Sequence, residues 1–166
     1  MEKAYLQTGS NLGDRLAALD KARILLNGEV GPIVESSSIY ETEPWGFTSQ
    51  DMFLNQVLVL ETSLAPDELL DRILALERLM GRNRSGESYT SRIIDIDILF
   101  YDEITLHAKN LIIPHRHIED RMFTLVPLAE LAPDFVHPVL KMTMRELLLE
   151  CKDTLLVRIY QPASFQ

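Results

Sequence analysis

The chain has 166 residues, of which 46% are hydrophobic and 25% are charged, and its formal net charge is -9. Such a composition predicts a soluble globular protein, and the acidic balance argues against nucleic-acid or anionic-membrane partners, which need a broad excess of Lys and Arg. The start of the chain lacks the pattern of a signal peptide, and no apolar run approaches the roughly 20 residues of a membrane span. We therefore expect one cytoplasmic domain over residues 1–166. The single cysteine, Cys151, excludes an internal disulfide and a cysteine-based metal site.

The first half of the chain alternates between strand and helix patterns. Residues 3–8 predict a short strand, and leucines at helical spacing from Leu12 predict a helix that stops near Gly28. Residues 33–42 alternate in polarity, and residues 54–61 form a stronger apolar run. Both patterns predict strands.

The second half adds a helix, a strand and a C-terminal extension. Pro66 suits the first position of a helix that ends at Gly81, and residues 92–100 predict the next strand. The resulting order, β-α-β-β-α-β, is the split βαβ arrangement of ferredoxin-like α+β folds. Helical patterns then follow at 118–131 and 143–151, and a last strand at 154–160. We therefore predict a ferredoxin-like sandwich with additional C-terminal helices and a strand.

Two connections are too long to be simple joints between elements. Residues 43–53 carry aromatic side chains, whereas residues 81–92 are basic. Loops near a dozen residues are frequently lids or binding loops. Five of the eleven arginines lie close together in the sequence, namely Arg82, Arg84, Arg92, Arg116 and Arg121. In an acidic protein this concentration favours a small anionic ligand, with a flat ring bound by the aromatic loop and phosphate bound by the basic one.

The stretch SRIIDIDILF contains two aspartates in an otherwise apolar strand. Asp95 and Asp97 share one face, with Cα atoms roughly 6.5–7 Å apart, while Ile94, Ile96, Ile98 and Phe100 are expected on the opposite face. Neighbouring carboxylates repel, so one is driven toward protonation unless a cation holds both ionised. A solvent-exposed acidic strand face is the alternative. The nearby arginines favour a metal site, and hard oxygen ligands favour Mg²⁺ with nucleotide phosphates.

Other residues have both structural and functional interpretations. Glu77 is either a helix-surface residue or one that faces the ligand, and Asn55 bonds either a heterocycle edge or the backbone. His115 and His117 lack a third partner at zinc-like spacing, so a zinc site is rejected. The segment GSNLGDR precedes a helix, but it matches neither the P-loop nor the dinucleotide fingerprint, so it is weak evidence for phosphate binding.

Several of these stretches together resemble one family. TGSNLGDR, SSIYETEPWG, ExxxGRxR at 77–84, RxxDIDIL at 92–99 and IIPHRHIEDRMFTLVPLAELAPDF resemble 6-hydroxymethyl-7,8-dihydropterin pyrophosphokinase of folate biosynthesis. The resemblance runs in one register from about residue 4 to 140. That family has a ferredoxin-like α+β fold, in agreement with the predicted order of elements.

The resemblance implies that the β,γ-diphosphate of ATP is transferred to the hydroxymethyl group of a reduced pterin, with release of AMP. Two Mg²⁺ ions would be held by Asp95 and Asp97. The implied catalytic residues are Arg82, Arg92 and Asp97. The implied pterin contacts are Thr42, Trp45, Phe53, Asn55, Tyr89 and Phe123. The implied ATP contacts are Glu77, Arg84, Ile98, His115 and Arg121. The partners are these small molecules, and we expect a monomer.

The chain departs from the family pattern at a few positions. Thr90 and Ser91 replace a usual Gly-Pro, Tyr89 replaces a common Trp, and Arg116 and His117 replace a frequent Pro-Arg. These changes concern the basic loop and the ATP side of the site. A non-catalytic ligand-binding module and another metal-dependent nucleotidyl transferase are the alternatives, and the latter would release pyrophosphate instead of AMP.

Overall fold

The structure is a computed structural model that describes residues 1–82 and 92–162. It has an α+β fold in which helices cover an antiparallel sheet. The strands are β1 Glu2–Ser10, β2 Ile33–Ser36, β3 Tyr40–Thr42, β4 Phe53–Thr62, β5 Asp95–Tyr101, β6 Leu106–His107, β7 Ile112–Ile113 and β8 Val157–Ile159. The helices are α1 Arg15–Glu29, α2 Pro66–Leu79, α3 Met122–Leu131 and α4 Met144–Glu150, with a 3₁₀ turn at Ile118–Asp120.

The main sheet has six strands in the order β5-β1-β4-β3-β8, and β2 also pairs with β4. Every pairing is antiparallel. Since β2 and β3 together occupy the second-strand position, this order confirms the predicted β-α-β-β-α-β arrangement. The C-terminal strand β8 extends the sheet beside β3, and β6 and β7 form a separate hairpin that the sequence patterns did not predict.

The two helices of the split βαβ units have clear local causes. Asp14 caps α1 by accepting a hydrogen bond from Ala17 N at 3.0 Å, and Pro66 begins α2 as predicted. Helix α1 ends at Glu29, one residue after the predicted stop at Gly28 and not at the glycine itself. The chain turns instead at Gly31, where a Cβ atom would lie only 2.0 Å from the carbonyl oxygen of Glu61.

Strand β5 is shorter at its start than predicted and carries an irregularity. Leu6 pairs with Ile98 but Tyr5 pairs with Phe100, so Leu99 is an extra residue on β5. The extra residue reverses the alternation of side chains. Phe100 therefore does not share a face with Ile96 and Ile98, and that part of the prediction is wrong.

Each face of the sheet has its own core. On one face, α1 and α2 bury side chains such as Leu6, Leu58, Ile73 and Ile98. On the other face, α3 and α4 cover a set that we call the apolar end, formed by Tyr5, Val57, Val59, Leu99 and Phe100. No helix in the described part of the chain is long and apolar enough to cross a membrane.

Candidate active site

The sheet face on which α3 and α4 lie continues beyond these helices, and there it forms the floor of a cleft of about 270 Å³. We call this part of the face the polar end. It is formed by Gln7, Gly9, Asn55, Asp95 and Asp97, all of which line the cleft. These residues come from β1, β4 and β5, the same three strands that form the apolar end. Aromatic residues of the 43–53 connection and several arginines form the walls.

Asp95 and Asp97 both face the cleft, as the strand pattern predicted. Arg82 forms an ion pair with one carboxylate oxygen of Asp95, and Arg92 Nη1 lies 2.9 Å from the other oxygen. Burial and the neighbouring charge of Asp95 raise the pKa of Asp97 to about 7, although Arg121 and Arg82 oppose this rise. Repulsion between the two adjacent carboxylates and desolvation therefore favour the protonated form of Asp97.

Glu77 is buried, with 1% of its surface exposed, so it is not a helix-surface residue. Its Oε1 accepts hydrogen bonds from Ile96 N at 2.9 Å and from Arg82 Nη1 at 3.3 Å. It thereby ties α2 to the aspartate strand and helps to hold Arg82 beside Asp95. A carboxylate that is buried with such partners positions other groups of the site.

Asn55 and Thr42 form a buried polar pair at the end of the cleft away from Asp95. Asn55 Nδ2 donates to Thr42 Oγ1 at 2.7 Å, so its partner is a neighbouring side chain and not the backbone. Gly9 leaves room for this amide, because a Cβ atom there would lie 2.5 Å from Asn55 Oδ1. An amide that is held so firmly can read the hydrogen-bonding edge of a ligand.

Aromatic rings and guanidinium groups meet in the walls of the cleft. Arg121 Cζ lies 4.3 Å from the centroid of the Trp45 ring and 5.6 Å from that of Phe123. Arg92 Cζ lies 5.9 Å from the centroid of Phe53. The guanidinium groups of Arg121 and Arg92 therefore lie within cation–π distance of aromatic rings in the walls of the cleft. Phe47 contacts Phe53 edge-on, with the ring centroids 6.1 Å apart.

The Pro-His segment contributes its histidines to the cleft. Burial, with Arg121 nearby, lowers the pKa of His115 to about 4, so His115 is neutral at pH 7. His117 lies 5.5 Å from Trp45 between ring centroids. Arg116 also lines the cleft, so two of the residues that depart from the family pattern border this site.

Two described residues of the sequence-based site, Glu77 and Ile98, do not line the cleft. The side chain of Ile98 lies in the core beneath α1 and α2, because the side chains of β5 alternate between the two faces. A contact of Ile98 to ATP stays a prediction. Arg84 and Tyr89 lie outside the described residues, together with Thr90 and Ser91.

The GSNLGDR segment, which was weak evidence for phosphate binding, supports the site in other ways. Asn11 holds the backbone of Arg92, since Arg92 N donates to Asn11 Oδ1 at 2.7 Å and Asn11 N donates to Arg92 O at 3.1 Å. Arg15 Nη1 lies 3.0 Å from Glu41 Oε2 and donates to Met52 O at 2.9 Å, so it joins the two ends of the 43–53 connection. Sequence reasoning missed both residues, although their place directly after β1 was a usable signal.

Comparison with known proteins gives this cleft its context. Residues 5–133 match the model of the family described as 7,8-dihydro-6-hydroxymethylpterin-pyrophosphokinase (HPPK). The chain is similar to 2-amino-4-hydroxy-6-hydroxymethyldihydropteridine pyrophosphokinase of Methylorubrum extorquens, with 44% identity over 82% of this chain and 86% of the relative. The corresponding enzyme of Aquifex aeolicus is 40% identical over 88% of this chain and 90% of the relative.

Solved structures agree on the fold. A crystal structure of HPPK-DHPS in complex with substrates has a TM-score of 0.76 and 17% identity over 89% of this chain. Plasmodium falciparum HPPK-DHPS with SDX-DHP has a TM-score of 0.76 and 21% identity over 90% of this chain. This chain spans only 43% and 44% of those two chains. The family match and the identity to the curated relatives show that the chain belongs to the HPPK family and is a pyrophosphokinase of folate biosynthesis.

Proposed function

We propose that the cleft binds ATP at its aspartate side and the reduced pterin at its Asn55 side, so that the β,γ-diphosphate passes to the pterin hydroxymethyl group. The observation that carries this proposal is the placement of Asp95, Asp97 and two arginines at one side of a floor whose other side holds Asn55 and Thr42. The family uses ATP and a pterin. The assignment of residues to each substrate is our inference.

The aspartate pair fits Mg²⁺. Among the described residues no group of three or more His, Cys, Asp or Glu side chains is arranged to hold a metal ion. Two carboxylates suit Mg²⁺, which takes one or two from the protein and completes its shell with water and phosphate oxygens. The raised pKa of Asp97 marks a position where a cation would relieve repulsion. When bound, two Mg²⁺ ions held by Asp95 and Asp97 would polarise the phosphoryl oxygens and offset their negative charge.

Arg82 and Arg92 would hold the transferring diphosphate. Both pair with Asp95, and Arg82 also pairs with Glu77. These partners fix the two guanidinium groups beside the aspartate side of the cleft. Groups that are fixed before the substrate binds stabilise developing charge with little reorganisation. Arg121 and His115 would contact the ATP side from the wall.

The pterin would lie over Asn55 and Thr42 between aromatic rings. The buried amide of Asn55 offers both a donor and an acceptor to the ring edge, and Phe53 and Phe123 offer stacking surfaces. Trp45 would close over the bound ring and exclude water, which otherwise competes as the acceptor of the diphosphate. Monomeric state, single-domain organisation and cytoplasmic location stay predictions.

A product assay tests the proposal. The protein is incubated with ATP, Mg²⁺ and 6-hydroxymethyl-7,8-dihydropterin, and AMP and pyrophosphate are both quantified. We expect AMP only when pterin and Mg²⁺ are present, and none after chelation with EDTA. Release of pyrophosphate, or AMP formation that does not need the pterin, would contradict it.

A further inference from the structure

A buried glutamine lies at the boundary between the polar end and the apolar end. Gln7 is 4% exposed, and its side chain reaches the first turn of α3. Its Nε2 donates to Phe123 O at 2.9 Å, and its Oε1 accepts from Thr124 Oγ1 at 2.8 Å. Both ends of the amide are therefore bound to one turn of a helix that is more than a hundred residues away in the chain.

The carbonyl of Phe123 needs such a partner because of a proline. In an α-helix each N–H bonds the carbonyl four residues earlier, so the partner of Phe123 O would be the N–H of residue 127. That residue is Pro127, which lies inside α3 and has no N–H. A backbone carbonyl inside a folded protein that lacks a hydrogen-bond partner is costly, and Phe123 is half-buried. The amide of Gln7 supplies the hydrogen bond that Pro127 cannot.

We propose that Gln7 and Thr124 are positioning residues that set the orientation of Phe123 and thereby the affinity for the fused-ring substrate. The inference rests on the proposed function, in which Phe123 stacks on the pterin. Phe123 lines the cleft and its ring also lies near Arg121, whereas Thr124 is 1% exposed and does not line the cleft. Because stacking depends on the offset and tilt of the rings, a small rotation of the Phe123 peptide weakens it.

The position of Gln7 indicates a role beyond filling space. Tyr5, two residues earlier on the same strand, belongs to the apolar end, and Gln7 is registered with Val57 on one side and Asp97 on the other. An apolar side chain of similar length would fill this site equally well. It would, however, leave Phe123 O and Thr124 Oγ1 without the two bonds that the amide makes.

The test compares kinetic constants of Gln7→Met and Thr124→Val with those of the wild type. Gln7→Met keeps the length of the side chain and removes both bonds, and Thr124→Val removes one bond with little change of shape. We expect the KM for the pterin to rise roughly tenfold in Gln7→Met and about threefold in Thr124→Val, since a buried group loses its partner. The KM for ATP should stay within about twofold of the wild-type value in both variants, because the two bonds that are removed go to the turn that carries Phe123, whereas Arg82 and Arg92 hold Asp95.

Two control variants separate positioning from general stability. Thr124→Ser keeps the hydroxyl and should retain the wild-type KM for the pterin. Thr62 is a matched residue far from the cleft, because it is also 1% exposed and its Oγ1 donates to Val30 O at 2.9 Å. Thr62→Val should lower the unfolding midpoint and leave the KM for the pterin unchanged.

Each outcome bears on the inference. An unchanged pterin KM in Thr124→Val, or an equal rise of both KM values, would overturn it. If Gln7→Met does not fold, Thr124→Val and Thr124→Ser decide the question alone. AMP formation by the wild type is measured in the same series, and its absence would refute the proposed function. Normal turnover of the wild type, together with an unchanged KM for the pterin in the variants, would refute only the positioning role of Gln7 and Thr124.

Discussion

The polar end and the apolar end of one sheet face are built from the same three strands but have opposite characters. At the apolar end, α3 and α4 remove Tyr5, Val57 and Phe100 from water, so these residues stabilise the fold. At the polar end the helices stop, and neighbouring side chains hold Asp95 and Asn55 instead. A continuous sheet thus forms the floor of a cleft where its helical cover ends. The first turn of α3 marks that border.

The comparison also shows what the site costs the fold. Asp97 is a half-buried carboxylate whose pKa is raised by desolvation and by the charge of Asp95, so its own charge opposes folding at neutral pH. No residue of the apolar end carries a charge. Substitutions at the apolar end should therefore affect mainly stability, and those at the polar end mainly substrate binding and turnover.

The largest expected effect on stability comes from Phe100→Ala at the apolar end. Phe100 is fully buried, and its ring centroid lies 4.8 Å from that of Phe135 and 5.8 Å from that of Tyr5. Truncation should lower the free energy of unfolding by about 3–5 kcal/mol, measured by urea denaturation. The KM for the pterin of the folded fraction should stay near the wild-type value. A loss below about 1 kcal/mol would mean that this cluster does not carry the core.

Gly9→Ala is the corresponding change at the polar end. A Cβ atom at 2.5 Å from Asn55 Oδ1 must displace the Asn55 amide, which is held by Thr42. We expect the KM for the pterin to rise about tenfold or more, since the amide loses its geometry, with a much smaller change in the KM for ATP. Gly28→Ala, which meets no atom within 4 Å in α1, is the control. A wild-type KM for the pterin in Gly9→Ala would show that the Asn55 amide does not determine the affinity for the pterin.

Arg15→Met tests whether the 43–53 connection is held at both ends. Loss of the bonds to Glu41 and Met52 should raise the KM for the pterin by about threefold to tenfold, because the closed position of the connection is less populated. Trp45 is the only tryptophan, so its fluorescence reports the same change directly. Arg72→Met, which removes an exposed ion pair to Glu29 at 2.9 Å, should change neither observable. If the two variants behave alike, Arg15 does not hold the connection.

These predictions show what the sequence could and could not reveal. Periodic patterns were sufficient for the order of helices and strands along the chain, for α2 and for the shared face of the two aspartates, because each of these depends on residues close in the chain. The irregularity that moves Phe100 to the other face depends on pairing between β1 and β5, which no local pattern encodes. The two hydrogen bonds of Gln7 join it to Phe123 and Thr124, which are 116 and 117 positions further along the chain, so no local pattern could predict them either. Glu77 was ambiguous because its partner strand determines its burial.

The smallest expected effect concerns the pH dependence of stability at His137, whose ring packs against Phe100 of the apolar end. Burial lowers the pKa of His137, whose Nδ1 accepts from Val139 N at 3.2 Å and Leu140 N at 3.1 Å. At this residue the unfolded state therefore binds more protons, so His137 contributes a fall in the free energy of unfolding as pH drops below about 6.5. His115 contributes in the same direction and Asp97, whose pKa is raised, in the opposite one. His137→Asn keeps an acceptor that does not titrate, so the free energy of unfolding of the variant relative to that of the wild type should rise between pH 7.5 and 5.5.

A control variant at an exposed histidine completes that test. His107 lies on the surface of the hairpin strand β6, so His107→Asn should leave the slope of the wild type unchanged. Equal slopes in the wild type and His137→Asn would show that His137 does not couple protonation to folding.

The central claim is that the polar end does the chemistry while the apolar end holds the fold, and Asp97→Asn tests it most directly. We predict that AMP formation falls on the order of a thousandfold, while the free energy of unfolding measured without metal is unchanged or higher, because the repulsion between Asp97 and Asp95 is removed. Asp134→Asn, at a side chain that is 86% exposed and pairs with Arg145, should keep both values. A near-wild-type rate of AMP formation in Asp97→Asn, or a loss of folding equal to that of Phe100→Ala, would contradict the account.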